Sequence, residues 1–302
     1  EDYQRECEKR FQTVKANEER INKILVGAAG LLEEFDCAVD EKDVSIRLAD
    51  RETEVKALLS YAVGCIFGRY SLDIPGLLCS DAVLPTDSYI SFIPDMDNVI
   101  PVTDEEYLED DIISRLCEWL KKAFGEETLE ENLDYIAQSL DIRGNSSREI
   151  IRNYLLNTFI ADHTKTYQRK PIYFLFDSGK ENGFKALIYL HRYNADTIGN
   201  LRIDYLHRMQ RIYESEMSRM QDMIDQSTNA REVARATKRR EKLVKQLKEC
   251  RDYDEKLAHL ALSRIDLDLD DGVKKNYRKI QTANDGKFYE VLADAKNIML
   301  KE

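Results

Sequence analysis

Apolar positions recur at helical spacing along most of the chain. Over 2–26, Phe11, Val14, Ile21, Ile24 and Leu25 stand at multiples of three and four, which predicts a charged amphipathic helix. Gly27 and Gly30 loosen the chain behind it, and 41–51 is polar. The stretch 52–70 reads as a second helix, apolar on most faces and therefore buried. Gly64 and Gly68 within it predict close packing of another helix, with no lipid implied. Four of the five prolines, Pro75, Pro85, Pro94 and Pro101, fall in 72–101, the best candidate for a boundary. Short apolar pieces there, such as 89–93, read as edge strands or an extended crossing.

Three helix starts with capping-box spacing follow: Thr103 with Glu106, Thr128 with Glu131, and Ser146 with Glu149. The apolar stripes behind them include Ile112, Leu116 and Trp119, then Leu133 and Ile136, then Ile151, Tyr154 and Phe159, and predict core. The pattern then changes. Aromatic and β-branched runs at 172–176 and 184–190 flank a glycine-containing turn, the one strong β-hairpin signal. Beyond Asn194, Leu201, Tyr205, Ile212, Met217, Met220 and Ile224 stripe one helical arm, and 226–229 breaks it. Leu243, Leu247, Cys250, Tyr253, Leu257 and Leu260 stripe a second arm at steps of 4, 3, 3, 4 and 3. An antiparallel helical hairpin is the simplest reading. The tail from Asp266 is polar and is expected to end in a short helix over about 288–300.

The expected fold is therefore mainly α: a helical domain with one small β-hairpin and a long antiparallel helical hairpin. Five segments are expected: helices over 1–80, a proline-containing linker over 81–101, acidic helices plus the β-hairpin over 102–193, the helical hairpin over 194–265, and the polar tail over 266–302. Composition agrees, since the 302 residues hold only 12 Gly and 5 Pro with 34% charged residues. No apolar run approaches the roughly 20 residues of a membrane helix, and no signal peptide is visible. Six scattered cysteines (7, 37, 65, 79, 117 and 250) without a C-x-x-C pair fit reduced thiols in a cytosolic protein. The chain starts at Glu1 inside a helical pattern, which is expected of a fragment of something longer.

Charge alters this picture. The formal net charge is −12, yet 95–141 alone holds 15 acidic and 3 basic residues, and 142–251 holds 22 basic and 13 acidic. Elsewhere than 95–141 the chain is neutral overall, so the total does not argue against nucleic acid. Lys165, Arg169, Lys170, Lys180, Lys185, His191 and Arg192 cluster around the hairpin, interleaved with Tyr167, Tyr173, Tyr189 and Tyr193. Arg235, Lys238, Arg239 and Arg240 lie in a second cluster on one helical arm. Cations neutralise phosphates and release counterions, so both clusters are candidate nucleic-acid contacts, set against solvated helix faces.

Catalytic patterns are missing. There is no G-x-G, no H-E-x-x-H and no G-x-S-x-G. The run Asp266, Asp268, Asp270, Asp271 and Gly272 starts like a calcium loop, but its glycine is one place late and Tyr277 stands where a bidentate Glu is needed. Asp254-Glu-Lys256 and Asp285-Gly-Lys287 match the acidic-x-Lys of metal nucleases, with Pro94-Asp95 as partner, but neither lies in strand context.

Several longer segments carry a resemblance. They are 15–24, 60–73, Arg148-Glu-Ile-Ile-Arg-Asn-Tyr154, Tyr167-Gln-Arg-Lys-Pro-Ile-Tyr173, Leu175-Phe-Asp-Ser-Gly-Lys180, Gly183-Phe-Lys-Ala-Leu-Ile-Tyr189, His191-Arg-Tyr193 and Asp268-Leu-Asp-Asp-Gly-Val-Lys274 with Asn276-Tyr277. In order, over nearly the whole chain, they resemble the C-terminal region of the PglX-type adenine-specific DNA methyltransferases of bacteriophage exclusion (BREX) systems. Phe174 departs from the pattern, where many members carry Trp.

The resemblance implies a protein of the bacterial cytoplasm. Its full-length form would move a methyl group from S-adenosylmethionine to adenine N6 after the base leaves the helix. Such chemistry needs an Asn-Pro-Pro-Tyr-type loop, and no Pro-Pro occurs here. The resemblance therefore implies a non-catalytic C-terminal module. It has no S-adenosylmethionine site of its own and no membrane partner, and it supports binding of double-stranded DNA or assembly with other defence-system proteins. A pure protein-interaction module with no DNA contact is the alternative, and a self-acting nuclease a weaker third.

Overall fold

The computed structural model describes residues 2–78 and 84–293, so Cys79 and the 294–300 part of the expected terminal helix lie outside the described residues. The chain is mainly helical, as expected, and divides into two compact units, Glu1–Leu58 and Leu59–Glu302.

The first unit is built on α1 (Asp2–Ala28). Of its stripe only Phe11 is buried, while Ile21, Ile24 and Leu25 remain 54%, 60% and 63% exposed. Carboxylates tie the helix to the loop that follows. Glu18 accepts from the Ser45 N–H at 3.1 Å, and Glu19 accepts from the Val39 N–H at 3.3 Å. Those two glutamates belong to the 15–24 segment of the resemblance, and their work here is structural.

α2 (Arg51–Ile66) leads into the second unit. Its glycines do not meet another helix. A Cβ on Gly64 would stand 2.6 Å from the Tyr70 ring, and Gly68, at φ +73°, reverses the chain. The Arg69 N–H then returns to the Gly64 carbonyl at 2.8 Å, a helix-terminating geometry that glycine adopts without strain.

The sheet has three antiparallel strands: β1 (Ile100–Pro101), β2 (Tyr173–Asp177) and β3 (Lys185–Tyr189), in the order β1-β3-β2. The hairpin is where the sequence predicts it, with Leu175 opposite Leu187. β1 was not anticipated, and the expected edge strand at 89–93 is irregular instead. Both faces of the hairpin are covered. Tyr173 stacks on Phe67 on one face, and on the other Phe174 meets Tyr277 edge-on. That second face joins the main core, with Phe176, Ala186 and Ile188 packed among Leu243, Leu247, Cys250 and Tyr253.

Ser146 caps α5 (Ser147–Asn157) by accepting from the Glu149 N–H at 3.2 Å, as predicted. Thr128 precedes α4 (Leu129–Ser139), but its hydroxyl donates to the Phe124 carbonyl at 3.0 Å and does not cap. Thr103 starts no helix: its hydroxyl bonds Asp111 at 2.8 Å, and Asp111 is the residue that caps α3 (Ile112–Phe124). A carboxylate at the true start outcompetes the threonine eight residues upstream.

The helical hairpin forms from α7 (Thr197–Asn200), a π-helical stretch over Leu201–Leu206, α8 (His207–Gln226) and α9 (Ala230–Ser263). Every position of the 4, 3, 3, 4, 3 stripe on α9 is buried. Glu249 of α9 holds the β-turn, accepting from the Ser178 hydroxyl at 2.7 Å and from the Glu181 and Gly183 N–H groups at 2.9 Å each.

The two compact units divide at 58/59, ahead of the proline-containing 81–101 stretch. Described residues of that stretch are bound in: Phe92, Val99 and Ile100 are buried, and Arg192 donates to the Asp95 and Met96 carbonyls at 2.8 Å each. The tail is likewise no loose polar end. α10 (Val273–Lys279) buries Tyr277. Gln281, fully buried, accepts from the Val291 and Leu292 N–H groups at 2.9 and 3.0 Å. Residues 288–293 are extended rather than helical, with Leu292 bridged to Phe176 at the outer edge of β2.

Candidate functional site

At the open end of the β-hairpin the chain forms a groove of about 570 Å³. Its first wall starts where α6 (Phe159–Thr166) ends. There Gln168 and Arg169 take φ values of +51° and +65°, and the Arg169 N–H returns to the Thr164 carbonyl at 2.8 Å. Left-handed backbone costs a residue with a Cβ about 1–2 kcal/mol. Pro171, Ile172 and Leu190 give the groove an apolar floor, and 269–276 form its second wall. Three cations line it, Arg169, Lys170 and Lys274, against one carboxylate, Asp271. His191 lines it too, tilted against Tyr189 with ring centroids 4.9 Å apart. Three segments of the resemblance, 167–173, 191–193 and 268–277, thus converge here from far apart in sequence.

The strained arginine yields a test. Arg169→Gly relieves the left-handed backbone and is expected to stabilise the fold by roughly 0.5–1 kcal/mol in urea denaturation, after glycine's entropic cost. The same substitution removes a cation from the rim, so a functional rim shows as higher stability with weaker ligand binding.

His163 sits behind the floor and is buried. Its Nε2 accepts from the Ile172 N–H at 3.1 Å and the Tyr173 N–H at 3.4 Å, which pins the first residue of β2. Burial, assisted by the Arg69 charge, holds its pKa down to about 3, so the ring is neutral with its proton on Nδ1. Among the described residues no group of three His, Cys, Asp or Glu is placed to hold a metal.

The sequence-predicted cations separate into different roles. Lys165, Arg169 and Lys170 are exposed at the end of α6. Lys180 is exposed at the hairpin turn, one strand length, roughly 17 Å, from the open end. Lys185 and Arg192 drop out of the candidate set. Lys185 is buried and pairs with Asp177 at 3.0 Å, and Arg192 is buried against the Phe67, Asp95 and Met96 carbonyls. On α9, Arg235 and Lys238 are exposed and Arg240 is half-buried, while Arg239 is held by Glu105 at 2.8 Å and by the Tyr107 hydroxyl. Lys242 is likewise held by Asp104. Part of the acidic 95–141 segment therefore neutralises part of the basic arm from within. The two clusters are not brought together: Lys238 lies roughly 40 Å along α9 from its end at Arg264, beyond which the second wall of the groove begins.

The nuclease letters also find structural roles. Asp254 pairs with Arg202 at 2.7 Å and His207 at 2.9 Å, Asp285 accepts from the Lys287 N–H, and Asp95 accepts from the Asn98 N–H at 2.8 Å. In the calcium-like run, Asp268 caps a short turn and Asp271 pairs with Lys275. Sequence reasoning missed Lys274 as a rim residue, because its lysine-rich surroundings gave no sign of which cation faces the hairpin.

No protein-family profile matches the chain. The chain is 43% identical over 282 residues to the adenine-specific methyltransferase PglX of Lacticaseibacillus casei (strain Zhang), which takes in 92% of this chain and 24% of that protein. It is 41% identical over 261 residues to the adenine-specific methyltransferase BrxX of Escherichia coli O9:H4 (strain HS), 82% of this chain and 21% of that protein. The chain thus spans about a quarter of the length of these relatives. The resemblance read from its motifs holds across nine-tenths of it.

Proposed function

We propose that this chain is the non-catalytic C-terminal part of an adenine-specific DNA methyltransferase of a bacteriophage-defence system, and that it contacts double-stranded DNA through the groove rim and the exposed face of α9. The observation that carries the reading is the convergence of three family-like segments on one groove with a cationic rim. Phosphate contacts position a protein on DNA without reading sequence, and exposed Lys and Arg side chains are the groups that make them. The rim cations Arg169, Lys170 and Lys274 suit a phosphate better than the sulfonium of S-adenosylmethionine. Methyl transfer, with that cofactor, belongs in this reading to the three-quarters of the relatives that the chain does not span.

The test is salt-dependent binding to duplex DNA. Each lost phosphate contact lowers the slope of log K against log salt by about 0.9. Reversal of Lys165, Arg169 and Lys170 to Glu is expected to reduce the slope by up to about 2.7, and reversal of Arg235 and Lys238 by up to about 1.8. Absence of duplex binding at low salt, or slopes unmoved by both sets, would remove DNA contact. That result would favour assembly with other defence proteins, a second reading supported by the exposed Ile21, Ile24 and Leu25 on α1.

A further inference from the structure

Arginines buried or half-buried in the second unit typically hold an anion or a set of carbonyls. Arg152 holds Asp111, Arg202 holds Asp254, Arg239 holds Glu105, Arg115 holds Glu118, and Arg192 holds three carbonyls. Arg69 is different. Its Nε donates to the Tyr70 hydroxyl at 3.1 Å and its Nη1 to the Tyr189 hydroxyl at 3.2 Å. No carboxylate among the described residues pairs with it, and its guanidinium carbon lies 5.4 and 5.9 Å from the Tyr70 and Tyr189 ring centroids. Tyr167 lies beside them, close enough for its phenol to feel the Arg69 charge.

Counting donors and acceptors shows what this cluster lacks. A guanidinium has five N–H donors and no acceptor, and the two phenols take only two of the five on Arg69. The cluster is therefore rich in donors, carries a full positive charge, and contains only neutral oxygens. A half-buried charge without a counter-charge is costly, and the planar fork of Arg matches an oxyanion. The charge is felt inward, since it helps suppress protonation of His163. Chain adjacency sets the surroundings: Tyr167 runs directly into the Gln168–Lys170 wall of the groove, and Tyr189 precedes His191 by two residues. Lys165, Arg169 and Lys170 make that neighbourhood cationic, which favours a phosphate over a carboxylate on an acidic protein.

We propose that Arg69, fixed by Tyr70 and Tyr189 and flanked by Tyr167, is a built site for a phosphate group. This goes beyond the DNA-contact reading, because neither the groove rim nor α9 supplies the guanidinium, and an isolated phosphate can be tested without duplex DNA. The phosphate belongs either to a free anion or to a nucleic-acid backbone, and the probes separate the two.

The experiment titrates the chain with inorganic phosphate and, separately, with single-stranded hexathymidylate, following calorimetric heat and the melting temperature against chloride at equal ionic strength. Saturable binding of inorganic phosphate assigns a free-anion site, and binding of hexathymidylate alone assigns a backbone phosphate. In either case Arg69→Met is expected to abolish it. Arg69→Lys, which retains the charge and loses the fork, is expected to weaken it at least tenfold, and Tyr70→Phe to weaken it severalfold. If Arg69→Met does not fold, Arg69→Lys decides alone. Failure of both probes to bind, or equal affinity in wild type and the Arg69 variants, would overturn the proposal. Loss of duplex binding in the rim variants with phosphate binding intact would separate the two readings.

Discussion

Replacing Arg152 with Met is expected to lower the stability of the second unit by about 3–5 kcal/mol, read as the shift in its urea midpoint at constant slope. The reason lies in the partner left behind. Asp111 is fully buried, and its carboxylate receives both guanidinium nitrogens of Arg152 at 2.8 Å, one on each oxygen. The same carboxylate accepts from the Ile113 N–H at 3.0 Å to start α3, and from the Thr103 hydroxyl. Arg152 also donates to the Thr103 carbonyl at 2.9 Å, so it joins the loop ahead of α3 to α5. Removing the cation strands a charge in the interior while the cap still needs it. Adding Asp111→Asn, which preserves an acceptor for Ile113, is expected to recover part of the loss. A double variant no more stable than the sum of the singles, or an Arg152→Met cost below about 1 kcal/mol, would mean that the pair is not coupled.

The second large effect is hidden in the wild type. Burial holds His163 down to about 3, and burial, then the Asp97 charge, pushes Asp95 up to about 7. Below about pH 6.5 the unfolded chain protonates histidine and the folded one does not, so His163 drains stability as pH falls toward 3. Asp95 acts the other way: the folded chain takes up its proton near pH 7, the unfolded chain only near 3.9, so stability rises as pH falls between those values. The two slopes oppose each other between about pH 4 and 6.5. Asp95→Asn is expected to uncover the histidine and make the unit lose on the order of 1.4 kcal/mol per pH unit relative to wild type over that range. His163→Gln, whose amide oxygen can accept from Ile172 and Tyr173, is expected to do the reverse. Urea midpoints of the three proteins at pH 4.5, 5.5, 6.5 and 7.5 check this, and parallel curves would refute both assignments.

Periodicity made the elements with a continuous apolar seam legible. The α9 stripe, the break at 226–229 and the β-hairpin stand where spacing places them, because burial selects one face and the period shows which. What spacing does not show is what a polar side chain meets. Lys185 and Arg192 read as surface cations, but a carboxylate and three carbonyls await them in the interior. Thr103 has the right spacing for a cap and loses the helix to Asp111. β1 is two residues long and contains Pro101, too short for any alternation to register. The polar tail hides its function in single residues, Tyr277 between Asn276 and Arg278, and Gln281 beside the isolated Ile280. The groove was half visible: its cations stood out, but the curl at Gln168 and Arg169 that aims them has no glycine to announce it.

The closing of β2 by the tail sets an order of events during synthesis. Asp177 donates to the Val291 carbonyl at 3.0 Å, Ala293 donates to the Leu175 carbonyl at 2.8 Å, and Tyr253 donates its hydroxyl to Val291 at 2.6 Å. Their partners leave the ribosome about 115 residues after β2 does. At roughly 5–20 residues per second the nascent hairpin waits on the order of 6–23 s with its outer strand unpaired. An unpaired strand edge is the usual template for association between chains. The interval between Asp177 and Val291 is thus when a newborn chain is most exposed to its neighbours on the same messenger, and slower decoding over that interval would lengthen it.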